Sequence, residues 1–116
     1  MFNQDAMIED TIGKIEARVQ SADSIKQDRR HELLQLLGTL KAEVAELSKT
    51  HGEQAESIAG FTDISAHEAT RAQQNPHLLK LSLQGLSSSV KDFEESHPRL
   101  AQIVNAISNT LSNLGI

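Results

Sequence analysis

Five histidines, His31, His51, His67, His77 and His97, are the side chains in this sequence best suited to hold a metal or move a proton. A helical metal pair needs two histidines three or four positions apart with carboxylates nearby, so that the ligands share one face. The intervals here are 20, 16, 10 and 20, so no pair qualifies and no metal is expected. His31-Glu32 and His67-Glu68 are single steps, which point to different parts of a helix surface. Cysteine is absent, which removes disulfides, thiolate ligands and cysteine nucleophiles together. Serines are plentiful, but "GLSSSVKD" at 85–92 reads as the polar side of a helix, and no G-x-S-x-G elbow occurs. The carboxylates of Glu9, Asp10, Glu94 and Glu95 fall at helix starts or on polar faces, without the apolar enclosure that acid–base catalysis needs. There is no glycine-rich phosphate loop. These absences predict a protein that is not an enzyme and carries no cofactor.

One histidine stands in a more suggestive setting. "HLLKLS", residues 77–82, resembles the phosphorylatable motif of histidine phosphotransfer domains, which are acidic helical bundles of about this size. The resemblance implies His77 as phosphate acceptor, with Lys80 three positions on. It departs at Leu81, where the motif has a small residue that lets a partner reach the ring. Pro76 also places His77 in the first turn of a helix, not in its exposed middle. The alternative is a solvated histidine in a helix's first turn.

The elements that would position these side chains are helices. Apolar residues recur at four-three spacing in four segments: Ile8, Ile12, Ile15, Val19, Ala22; Leu33, Leu37, Leu40, Val44, Leu47; Leu79, Leu83, Leu86, Val90, Phe93; and Leu100, Val104, Ile107, Leu111, Leu114. Such spacing lines one side of a helix packed on other helices, and no stretch alternates with period two. Leu34 and Leu36 widen the second stripe. The pattern predicts an all-α protein, an elongated antiparallel bundle of four to five helices in coiled-coil-like hairpins, forming a single domain over residues 1–116. The helices are expected at about 5–22, 26–50, 53–73, 76–96 and 97–114, each strong one about 25–37 Å long.

Boundary signals support these spans. Ser24 with Gln27 resembles a capping box. Asn75-Pro76 sets a cap and a first helical residue, and Ser96-His97-Pro98 repeats the device with Ser96 as cap. Gly115 suits a helix C-terminus. Residues 50–74 are the weak segment, rich in alanine with Gly52 and Gly60, and only Ile58, Phe61 and Ile64 are large and apolar. A loosely packed helix broken near Gly60 is the expectation there.

Charge narrows the partners. A net charge of −5 opposes duplex binding, which needs clustered cations. Trp and Tyr are absent, and Phe2, Phe61 and Phe93 are too scattered to stack single-stranded bases. No apolar run approaches a bilayer span, and the start "MFNQDAMIEDTIGK" lacks the form of a secretory signal. Together with the absence of cysteine, this predicts a cytoplasmic protein. Mixed-sign helix charges, such as Arg29 and Arg30 with Glu32, or Lys41 with Glu43 and Glu46, read as solvated faces.

The last 16 residues, 101–116, carry no charged side chain. Asn105, Asn109 and Asn113 repeat at every fourth position and therefore share a side. Asn is a mediocre helix former, so exposure alone gives little reason for it. An uncharged polar face can be covered by another helix without desolvating ions. The candidate contact residues are Val104, Asn105, Ile107, Asn109, Leu111 and Leu114. Either they meet a second subunit or partner, or this helix fills the middle of the chain's own bundle.

The "ELLQLL" helix and the closing "FEESHPRLAQIVNAISNTLSNLGI" resemble a small bacterial family known as domain of unknown function 4404. The likeness covers residues 33–47 and 93–116, and residues 50–75 look like an addition to it. It implies a short, soluble helical bacterial protein and carries no activity, ligand or catalytic residue. The expected function is a non-enzymatic protein–protein interaction or self-assembly module, a homo-oligomer or a binder of a protein partner. The alternatives are a phosphotransfer bundle using His77 and an amphipathic protein of lipid or granule surfaces.

Overall fold

The computed structural model describes residues 4–114. Five α-helices follow one another: α1 (Gln4–Ser21), α2 (Gln27–Ser48), α3 (Gly52–Thr70), α4 (Pro76–Val90) and α5 (Pro98–Leu114). A single 3-10 turn, Lys91–Phe93, extends α4. There is no strand among the described residues. The all-α expectation holds, and the bundle measures 37 × 26 × 22 Å.

The four apolar stripes become the core. Ile8, Ile12, Ile15 and Val19 of α1, Leu33, Leu37, Leu40, Val44 and Leu47 of α2, and Leu100, Val104, Ile107 and Leu111 of α5 are all buried. Burying one such side chain stabilises the fold by about 1.5–3 kcal/mol. The helices stack three over two: α3 lies between α1 and α4, while α2 and α5 pack together beneath them. α3 touches each of the other four helices.

The central position of α3 corrects the reading of residues 50–74. The helix runs unbroken through Gly60 and is the best enclosed of the five, not the loosest. Its inward side is built from Ala55, Ala59, Ala66 and Ala69 around Ile58, with Thr62 and Ser65 also buried. Small side chains let four neighbours approach one axis, and the neighbours supply the bulk. A buried hydroxyl needs a partner, and Thr62 Oγ1 donates to the Ile58 carbonyl at 2.7 Å.

The helix ends differ from the expected caps in two places. Ser24 does not cap α2, whose N-cap is Lys26 without a side-chain bond. Arg30 organises that corner instead. Its Nε donates to the Val19 carbonyl at 3.2 Å, and its Nη2 to those of Ala22 at 2.6 Å and Ile25 at 3.1 Å. The guanidinium thus satisfies carbonyls left open where α1 ends, a task for its planar fork. Arg30 is therefore not part of a merely solvated face. At the start of α5, Ser96 does not cap either. The His97 carbonyl accepts the first helical bond from Ala101 N at 3.2 Å, and Pro98 follows as the first helical residue. Asn75 caps α4 as expected, its side chain accepting from Leu78 N at 3.1 Å. Gly115 lies outside the described residues, as does Phe2.

Candidate functional site

Two surfaces free of carboxylates, those of α4 and α5, lie on neighbouring helices. A link of five residues, 71–75, joins α3 to α4 and turns the chain back antiparallel. Gln74 anchors it, donating to the carbonyls of Ala69 at 2.9 Å and Leu114 at 3.3 Å. Arg71 binds Glu68 at 2.8 Å, closing the end of α3.

The pairing register is set by Phe61 and Gly85. Carbons of the Phe61 ring occupy the space that a β-carbon at Gly85 would fill. That seat draws α3 and α4 together and leaves Phe61 36% exposed. One turn along α3, Ile64 is 49% exposed, and on α4 Leu81 and Leu78 are 48% and 40% exposed. Leu78, Leu81 and Gly85 share one flank of α4 by their three- and four-residue spacing. The antiparallel register then sets Ile64 beside Leu81. Four large apolar side chains therefore crop out along the α3–α4 seam, with no charged residue among the four. Scattered exposed leucines need no explanation, whereas apolar side chains gathered on one seam point to a contact.

The predicted contact residues of α5 divide in two. Val104, Ile107 and Leu111 are within 1% of complete burial, and Leu114 packs against the core. They hold α5 in the chain's own bundle. Asn105 and Asn109 are exposed on its outer side, as is Asn113. The sequence grouped these six residues, and the fold separates them into an inner and an outer face.

The histidines do not converge on a site. His31 and His77 are exposed on α2 and α4, and His67 lies 3.9 Å from Glu68 while 55% exposed. His51 and His97 do meet, but around Phe93: ring centroids are 5.3 Å apart for His51–Phe93, 5.6 Å for Phe93–His97 and 6.4 Å for His51–His97, all edge to face. Thr50 Oγ1 and Ser96 Oγ contact the respective Nδ1 atoms at 2.8 and 3.0 Å. This trio ties the α2–α3 corner to the α4–α5 corner at one end of the bundle. Its geometry is that of packed rings, each such pair contributing about 0.5–1.5 kcal/mol. No group of three or more His, Asp or Glu side chains among the described residues is arranged to hold a metal.

The ion pairs join helices. Lys41 reaches Glu16 at 2.6 Å, Arg18 reaches Asp63 at 3.4 Å and Arg99 reaches Glu43 at 3.1 Å. Lys41, read from the sequence as part of a solvated face with Glu43 and Glu46, instead bonds across to α1. Partly exposed pairs of this kind contribute up to about 1 kcal/mol.

A family model described as domain of unknown function (DUF4404) matches residues 33–116. The chain belongs to that family. The matched span runs through α3, the stretch that resembled an addition and that the fold places at the centre. No curated protein and no solved structure matches this DUF4404 chain. No helix among the described residues is long and apolar enough to cross a membrane.

The α3–α4 seam was the part of the site that the sequence reading missed. Its signal was present in Leu78 and Leu81, which fall off the Leu79–Leu83–Leu86 stripe. A helix with leucines on two sides has more apolar surface than one core contact covers.

Proposed function

We propose that this DUF4404 chain is a non-enzymatic helical interaction module that pairs with a second copy of itself through the α3–α4 seam. The observation that carries the reading is the exposure of Phe61, Ile64, Leu78 and Leu81 on the two helices that the Phe61–Gly85 contact joins. A second copy suits this seam on electrostatic grounds. The chain has a net charge of −5, so two copies repel least where carboxylates are few: α4 contains none, and of the four on α3 (Glu53, Glu56, Asp63 and Glu68), Glu68, one turn from Ile64, is paired with Arg71. A two-fold contact sets the same patch against itself, and an uncharged apolar patch is self-complementary. Asn105 and Asn109, exposed on α5, offer uncharged hydrogen-bonding groups to the same or a further partner. We place the protein in the cytoplasm, a reading supported by its lack of cysteine. Phosphotransfer has less support. His77 is exposed, but Leu81 stands one turn beyond it and is exposed as well, where a docking receiver would need clearance. Sedimentation of the wild type beside Leu81→Glu tests the self-pairing.

A further inference from the structure

On the other flank of α4, a groove of about 450 Å³ opens between α4 and α5. Such a volume falls within the range of about 300–1,000 Å³ typical of small-molecule sites. Pro76, Leu79 and Leu83 form its apolar wall, and Gln84, Ser87 and Ser112 supply uncharged polar groups. Lys80 also lines it and makes no ion pair among the described residues.

The charges around this groove are unlike those of the rest of the chain. The protein has 16 Asp and Glu residues, yet none lies in α4 or α5. The charged residues of these two helices are Lys80 and Arg99, and Arg99 is paired with Glu43. Among the described residues, this acidic protein thus presents an apolar groove with one ammonium outside any ion pair and no lining carboxylate. A cationic or strongly polar ligand gains nothing from that arrangement. An anion with an apolar body satisfies both parts, burying its chain while the head meets Lys80.

We propose that the α4–α5 groove binds a free single-chain carboxylate amphiphile, its chain along Leu79 and Leu83 and its head at Lys80. The site stands apart from the Phe61–Leu81 seam, since Leu79, Lys80, Leu83 and Ser87 lie on the flank of α4 that faces α5. Binding does not depend on self-pairing.

Decanoate, decanol and decyltrimethylammonium, each titrated below its micelle concentration, test the proposal by calorimetry and by amide chemical shifts of the full chain. Decanoate should saturate one site per chain, with the largest shifts in the groove-lining residues of α4 and α5. Ser87 and Lys80 are exposed, so substitution leaves the core intact. Ser87→Trp fills the groove and should abolish binding. Lys80→Gln should weaken decanoate roughly two- to fivefold and leave decanol unchanged. Leu81→Glu should leave decanoate binding intact even where it abolishes pairing. The proposal is overturned by non-saturable uptake, by equal affinity for decyltrimethylammonium, by binding that survives Ser87→Trp, or by shifts centred on Phe61. Co-flotation with phosphatidylglycerol vesicles that persists in Ser87→Trp would assign the affinity to a membrane surface instead, and would also overturn it.

Discussion

The ring of Phe61 on α3 occupies the space that a β-carbon at Gly85 on α4 would need. The glycine thereby sets both the separation and the register of the two helices. Its cost in an α-helix is about 1 kcal/mol relative to alanine. Gly85→Ala should therefore behave oppositely in two backgrounds. In the wild type it displaces the ring and lowers stability by about 0.5–1 kcal/mol, because lost ring burial outweighs the gain in helix propensity. In Phe61→Ala, where the seat is empty, the same change should raise stability by about 0.5–1 kcal/mol. Chemical denaturation of the four variants measures the reversal.

α5 should show a sharp division between its faces. Leu111 is 1% exposed, so Leu111→Ala should cost about 2–5 kcal/mol. Asn109, two positions earlier and exposed, should tolerate alanine within about 0.5 kcal/mol. Equal losses at the two sites in thermal unfolding would contradict the placement of this helix.

Arg30 is predicted to matter beyond its charge. Arg30→Ala removes donors from the carbonyls of Val19, Ala22 and Ile25 and should cost about 2 kcal/mol. Arg30→Lys should recover less than half of that, since one ammonium cannot span three carbonyls. Hydrogen exchange should place the lost protection at the end of α1.

The two proline-led helix starts should respond differently to alanine. Asn75 caps α4 through its side chain, and Asn75→Ala should cost about 1 kcal/mol. Ser96 contacts only the His97 ring, and Ser96→Ala should change stability by less than about 0.5 kcal/mol. Urea midpoints for the pair distinguish a cap from a bystander.

The helices were legible because four of them carry long apolar stripes such as Leu33–Leu37–Leu40–Val44–Leu47, and a stripe of that period admits one secondary structure. α3 was harder to read for a physical reason. Its buried side is alanine, threonine and serine, residues that give weak periodicity, and its role comes from neighbours that sequence spacing does not bring together. The same limit applied to Arg30. Glu32, the carboxylate near it in sequence, pairs with Arg29, while the carbonyls Arg30 serves belong to the preceding helix and turn. Of the candidate contact residues, Asn105 and Asn109 share one side of α5 by their spacing, and only the packing of the other helices shows that this side is the exposed one. Val104, Ile107 and Leu111 could be assigned to the chain's own core only once α2, α3 and α4 were seen to surround them.

The central claim is that the exposed seam of Phe61, Ile64, Leu78 and Leu81 pairs two copies of the chain. Sedimentation velocity on the wild type and Leu81→Glu, from low to high micromolar concentration, addresses it most directly. Leu81 is 48% exposed, so the charge should leave the monomer folded. The account predicts a concentration-dependent dimer for the wild type and a monomer throughout for Leu81→Glu, with equal helicity by circular dichroism. A wild type that remains monomeric at high micromolar concentration, or a Leu81→Glu variant that dimerises as well as the wild type, would contradict it.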